Sequence, residues 1–158
     1  MEINVGWKNN NEILFASNHG MPFPRMSDIY SVNLKGEFPV CFSFGMGSDI
    51  AFGESSVILG KNTADPARWK RYKGGTAGEL LIDINSTGNF KKFLNINGNI
   101  TSPMWVEDEI YFISDHEGIG NIYKTTKSGK NIEKVTNHKN YYVRNCNTDG
   151  QSIVYHSG

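Results

Sequence analysis

The sequence predicts an all-β protein made of β-propeller blades, each of four antiparallel strands, about three and a half blades in an incomplete ring. Short runs rich in Ile, Val, Tyr, Phe and Thr alternate with clusters of Gly, Asn, Asp and Ser, and no window of the 158 residues sustains helical spacing. One strand also recurs. Glu12-Ile13-Leu14-Phe15-Ala16-Ser17, Ser56-Val57-Ile58-Leu59-Gly60, Glu109-Ile110-Tyr111-Phe112-Ile113-Ser114 and Ser152-Ile153-Val154-Tyr155 are variants of it, and their anchors Ile13, Val57, Ile110 and Ile153 are 44, 53 and 43 residues apart. That period falls near the roughly 40–50 residues of propeller blades. A second anchor set, Asp28-Ile29-Tyr30, Glu79-Leu80-Leu81 and Asn121-Ile122-Tyr123, repeats at 51 and 42 residues.

Taken in order, the repeats place a first blade at about 3–42, a second at 47–94, a third at 96–136 and half a blade at 140–158, all within one partial propeller domain spanning 1–158. The third unit is the clearest. Its strands are expected at 100–106, 109–114, 121–126 and 131–136. Glu107-Asp108 would close the first hairpin, the loop from Asp115 to Gly120 the second and Ser128-Gly129-Lys130 the third. Gly in each longer loop supplies a positive φ for the reversal. Ile110, Phe112, Ile122 and Val135 alternate with more polar neighbours, and Trp105, Tyr111 and Tyr123 join Phe112 and Ile122 as expected buried residues. Three and a half blades cannot close a ring of roughly four to eight. The expectation is a piece of a longer protein, or a protomer completed by another chain, with an apolar blade face and a strand edge left uncovered.

Composition narrows the function. With 38% hydrophobic and 20% charged residues the chain can bury a core, and with 16 Lys plus Arg against 16 Asp plus Glu it offers no global field for nucleic acid or anionic membrane. Apolar runs such as Val57-Ile58-Leu59 fall far short of the roughly 20 residues that span a bilayer, and the opening residues lack a secretory pattern, so a cytoplasmic setting is expected. Cys41 and Cys146 have no Cys partner or His at ligand spacing, which argues against a disulfide framework or a metal site and for small buried or half-buried side chains. No motif calls for a cofactor. The triplets Asn85-Ser86-Thr87 and Asn99-Ile100-Thr101 matter only in a secreted chain.

Two stretches carry a family likeness. Ser102-Pro103-Met104-Trp105, the strand from Glu109 to Ser114 followed by Asp115-His116-Glu117-Gly118, and Gly120-Asn121-Ile122-Tyr123 resemble the TolB-type propeller repeat of binding proteins and peptidase propellers. Trp69-Lys70-Arg71-Tyr72-Lys73-Gly74-Gly75-Thr76 and Asn140-Tyr141-Tyr142-Val143-Arg144-Asn145, continuing into Asn147-Thr148-Asp149-Gly150, resemble the six-bladed propeller of the tricorn protease family, along essentially the whole chain. That resemblance implies large cytoplasmic serine peptidases that cut oligopeptides delivered by the proteasome and work as homo-hexamers. It also implies that the catalytic residues and the basic pair gripping the peptide C-terminus lie outside this chain, so none is carried over. The alternative reading is a stand-alone TolB-type binding or scaffold module.

No catalytic residue is assigned from the sequence. Asp115-His116-Glu117 has acid, base and acid as neighbours on a short loop, a pattern better read as a polar turn. His19, His138 and His156 are isolated. The one candidate feature is the loop 61–78, which carries Arg68, Lys70, Arg71 and Lys73 interleaved with Trp69 and Tyr72. It is long against ordinary hairpins. The balanced charge disfavours nucleic acid. In a propeller this loop shares a face with the loop 18–27, so Arg68, Arg71 and Arg25 are the expected peptide-binding residues, a guanidinium holding a carboxylate bidentately.

Overall fold

A computed structural model of the chain describes residues 2–158; Met1 lies outside the described residues. Every regular element among them is a strand. The first blade pairs β1 (Glu2–Asn9), β2 (Glu12–Ser17), β3 (Asp28–Asn33) and β4 (Val40–Cys41) in that order. The second pairs β5 (Asp49–Phe52), β6 (Val57–Lys61), β7 (Glu79–Asp83) and β8 (Lys91–Lys92). The third pairs β9 (Ile100–Val106), β10 (Glu109–Ser114), β11 (Asn121–Thr125) and β12 (Glu133–Lys134). A fourth sheet holds β13 (Val143–Thr148) and β14 (Ile153–Ser157). All pairings are antiparallel, and the all-β, partial-propeller expectation holds.

Side chains alternate between the two faces of a strand, and that rule sorts the apolar residues into three inter-blade cores. On β6, Val57 and Leu59 pack against Leu14, Ala16 and Ile29 of the first blade, while Ile58 packs against Ile110 and Phe112 of the third. On β10, Ile110 and Phe112 face the second blade, while Ile113 meets Ile122 and Val143 toward the fourth sheet. A blade flanked on both sides is buried on both faces, which is why β6 reads as an unbroken apolar run rather than an alternating one.

The inner strands are bent by bulges. Tyr111 pairs with Met104 and Ile113 with Thr101, so Phe112 faces the extra residues Ser102 and Pro103. Ser102 sits at φ 51, and Pro103, which has no N–H to give the ladder, is tolerated there. The bulge turns β9 toward β5: Thr101 Oγ1 and the Ser102 N–H donate to Asp49 Oδ2 at 3.1 and 3.3 Å. β13 has the same irregularity between Arg144 and Asn147, with Asn145 at φ 50.

Two expectations change. The outer strand expected at 131–136 is only Glu133–Lys134, so Val135 lies past its end and is 47% exposed, where the packing of neighbouring blades no longer reaches. Cys41 is exposed, since β4 is also a two-residue outer strand, whereas Cys146 is half-buried beside Val143. Trp105, Phe112, Ile122 and Tyr123 are buried as expected, and Tyr111 is partly buried against the third core.

Candidate functional site

Antiparallel blades place the β2–β3, β6–β7 and β10–β11 loops, and the connections between blades, at one end of the sheets. Hydrogen bonds tie these segments together in each unit. Ser27 Oγ donates to the Gly47 carbonyl at 2.8 Å in the first, and Ser48 Oγ meets Thr63 Oγ1 at 2.6 Å in the second. In the third, Asn121 is fully buried: its amide donates to the Ile119 and His138 carbonyls at 3.1 Å each, and its Oδ1 accepts from Thr136 Oγ1 and the His138 N–H. A buried amide with its hydrogen bonds made fixes the path of the chain between blades.

Residues 62–78 form a strap that reaches all four sheets. Ala67 N–H donates to Asp65 Oδ1 at 3.0 Å and Arg68 N–H to the Asp65 carbonyl at 3.1 Å, a local turn that sets the strap's start. The same carboxylate, through Oδ2, accepts from Arg144 of the fourth sheet, Nε at 2.8 Å and the terminal nitrogen also bonded. From the third blade, Asn99 Nδ2 donates to the Trp69 carbonyl at 2.6 Å, and Asp115 Oδ2 accepts the Arg71 N–H, also at 2.6 Å. From the first blade, the Arg25 guanidinium sits 5.6 Å from the Trp69 ring centre. At the strap's end, a Cβ on Gly78 would lie 2.4 Å from the Ile100 carbonyl oxygen, so only glycine permits that approach.

Asp115 is the hub. It is wholly buried, and its carboxylate receives the Asn99 N–H at 2.8 Å and Asn99 Nδ2 at 2.8 Å besides the Arg71 N–H. A buried carboxylate stays in a fold when N–H donors replace its lost water. Arg71 itself has φ 53, a left-handed conformation that costs a non-glycine residue about 1–2 kcal/mol. Asp115 holds it there.

Arg25, Arg68 and Arg71 are all exposed on this face. The structure brings Arg25 onto the strap through Trp69, whose ring packs against Tyr72 at 5.2 Å between centres and a tilt of 52°. Arg71 lines a pocket of about 470 Å³ between the strap and the third and fourth sheets; Arg68 does not. The other cations on the pocket wall are Lys70, Lys134 and Lys139, and Tyr142, buried, also lines it. Lys134 is neutralised by Glu117 at 3.2 Å. Lys70 Nζ lies 5.4 Å from the Tyr142 ring centre, a cation–π contact.

Ser114, Asp115 and His116 lie together, with Ser114 Oγ 2.9 Å from His116 Nδ1. They are not arranged as a nucleophilic triad. Ser114 is fully buried with its hydroxyl given to the Asn99 carbonyl at 2.7 Å, and the Asp115 carboxylate points to Asn99 and Arg71, away from the imidazole. Burial against Tyr123, 4.5 Å between ring centres, holds the His116 pKa below its ordinary value. Among the described residues no group of His, Cys, Asp or Glu is placed to hold a metal ion.

The sequence reading named Arg25, Arg68 and Arg71 but missed what orients them. Asp115 and Asn99 act through bonds to a loop far off in sequence, and only the pairing of the blades brings them there. Arg144 and Asp65, 79 residues apart, were equally out of reach of spacing arguments.

Four-stranded antiparallel sheets, joined outer strand to next inner strand and packed face to face, define a β-propeller whose loops build a contact face at one end. The chain belongs to the tricorn protease N-terminal β-propeller domain family, whose model matches residues 1–158. It is 37% identical over 151 residues to the tricorn protease homolog of Saccharolobus solfataricus, covering 96% of this chain and 14% of that protein. The crystal structure of the tricorn protease superposes with a TM-score of 0.89 at 33% identity, over 99% of this chain and 15% of that one. TolB from Acinetobacter baumannii, at 15% identity and a TM-score of 0.70 over 98% of this chain and 37% of its own, shares the fold alone. The chain therefore spans about one seventh of each of these two tricorn chains.

Proposed function

We propose that this chain is the propeller segment of a tricorn-like serine peptidase that degrades oligopeptides in the cytoplasm downstream of the proteasome. The segment shapes peptide passage or assembly and leaves bond cleavage to domains elsewhere in the parent chain. The observation that carries this reading is the family match along the whole chain. Association with further domains follows from the tricorn relatives, of which this chain corresponds to 14%. Assembly of the parent protein as a homo-hexamer is part of the same proposal. No helix among the described residues is long and apolar enough to cross a membrane.

Within this reading, Arg25, Arg68 and Arg71 contact peptides. All three residues are exposed, and the Arg25 guanidinium lies against the exposed ring of Trp69, a combination that suits carboxylates and backbone together. The test is hydrolysis of a fluorogenic oligopeptide by the purified full-length protein, with and without a serine-directed inhibitor. Inhibitor-sensitive turnover by the full-length protein, absent from the isolated 158-residue chain, is expected. A full-length protein that leaves peptides intact would contradict the peptidase reading, and turnover by the isolated chain would contradict the non-catalytic role.

A further inference from the structure

We infer that the pocket between the strap and the third and fourth sheets is a carboxylate-binding site, with Arg71 as its anchor and Lys139 and Lys70 as its flanking charges. The inference deepens the peptide-contact reading and rests on it for the source of the ligand, a peptide carrying an acidic side chain or a free C-terminus. Its chemistry rests on the pocket alone.

Three observations lead to it. The first is charge. Four cations, Lys70, Arg71, Lys134 and Lys139, line the pocket beside one carboxylate, Glu117, which pairs with Lys134; among the described residues no ion pair joins the side chain of Lys70, Arg71 or Lys139 to a carboxylate, and Asp115 meets Arg71 at its backbone N–H. Like charges brought together on a concave wall repel, and an anion in the cavity relieves that repulsion. The second is backbone placement. Arg71 is held in a left-handed conformation by its N–H bond to the buried carboxylate of Asp115, and the residue lines the pocket wall. Strain held by a buried group at a cavity is a mark of pre-organisation. Asp115 is thus a positioning residue, acting through the Arg71 backbone.

The third is the wall itself. A Cβ on Gly120 would come within 2.7 Å of the Tyr142 ring, so the glycine lets Tyr142 seat. Tyr142 gives its hydroxyl to the Gly118 carbonyl at 3.1 Å and lies under Lys70. Tyr142 is thereby anchored as the floor on which Lys70 rests. A cavity of about 470 Å³ holds an acidic side chain or a peptide terminus but not a folded domain. Arg supplies two parallel N–H donors for a carboxylate, and the lysines add charge without geometry.

The experiment measures binding rather than turnover. Three hexapeptides carrying an uncharged BODIPY label and N-methylated amide bonds, which resist peptidases, are titrated into the full-length protein at low salt and followed by anisotropy. One carries a central Glu and a C-terminal amide, one a central Gln and a free C-terminus, and one a central Gln and an amide. The site predicts that at least one carboxylate-bearing probe binds about tenfold more tightly than the neutral one, and which of the two does so identifies the source of the carboxylate. Arg71→Gln with Lys139→Gln should abolish that preference. Lys35→Gln with Lys91→Gln, which removes the same charge away from this face, should keep it.

Equal binding of all three probes by the unaltered protein overturns the proposal, as does a preference that survives Arg71→Gln with Lys139→Gln. Asp115→Asn gives the positioning test: a weakened preference with unchanged binding of the neutral probe supports it, and an unchanged preference overturns it. A full-length protein that keeps the charge preference yet cleaves no unmodified peptide would sink the peptidase reading and leave the site standing. Cleavage without charge preference would do the reverse.

Discussion

The Arg71 backbone N–H donates to Asp115 Oδ2 at 2.6 Å, joining residues 44 apart and pinning the second blade's longest loop onto the third blade. Asp115 is wholly buried, and each N–H donor it accepts compensates for lost hydration. Asp115→Asn leaves one acceptor oxygen and turns an amide toward N–H groups that need acceptors. The expected outcome is a loss of about 1–3 kcal/mol in stability, together with faster amide hydrogen exchange through residues 66–74. Unfolding by urea with hydrogen exchange read by mass spectrometry checks both.

The Asp65–Arg144 pair clasps the same strap to the fourth sheet. Its side chains are 20% and 31% exposed, so water screens the pair, and the expected coupling is modest. A double-mutant cycle with Asp65→Asn and Arg144→Gln should give a coupling of about 1 kcal/mol or less in stability. It should also show faster exchange at residues 64–68, without loss of the inter-blade cores.

The two cysteines should differ sharply toward a thiol reagent. Cys41 is exposed on the outer strand β4, while burial pushes the Cys146 thiol up to about 12. The thiolate is the reacting form, so at pH 8 only Cys41 should be labelled in the folded protein, and both on denaturation. Peptide mapping after maleimide treatment reads this directly.

Much of the fold was legible in the sequence because it lives in periodicities. The repeated strand and its turns located β9, β10 and β11, and β6 read as one apolar run because blades lie on both sides of it. Outer strands were poorly legible. β4, β8 and β12 are two residues each, carry exposed side chains and leave no hydrophobic pattern, which is why the strand expected at 131–136 is shorter and Cys41 is exposed rather than half-buried. The site was legible only as a basic, aromatic loop. Its orientation depends on Asp115, Asn99 and Arg144, ordinary polar residues whose role arises from contacts between blades.

Acid sensitivity should begin at His116. Burial disfavours its charged form, so its pKa in the fold lies below the ordinary value near 6.5, and the unfolded chain binds more protons across that interval. Its contribution is full above pH 6.5 and is lost as pH falls through the folded pKa. Thermal unfolding between pH 7 and 5 should therefore show a falling midpoint, with a shallower slope in His116→Gln. Glu117, held below the usual carboxylate range by Tyr123 and Lys134, adds a second loss below about pH 4.5 that His116→Gln should not remove.

The central claim, that this propeller face handles peptides while bond cleavage occurs elsewhere, is tested most directly by steady-state kinetics of the full-length protein on an acidic oligopeptide at two salt concentrations. Replacing Arg68 and Arg71 with Ala removes ground-state attraction, so KM should rise at low salt with kcat nearly unchanged. The deficit should shrink as salt rises, because the Debye length falls from about 30 Å at 0.01 M to about 8 Å at 0.15 M. An unchanged KM at low salt, or a loss of kcat at constant KM, would contradict the account.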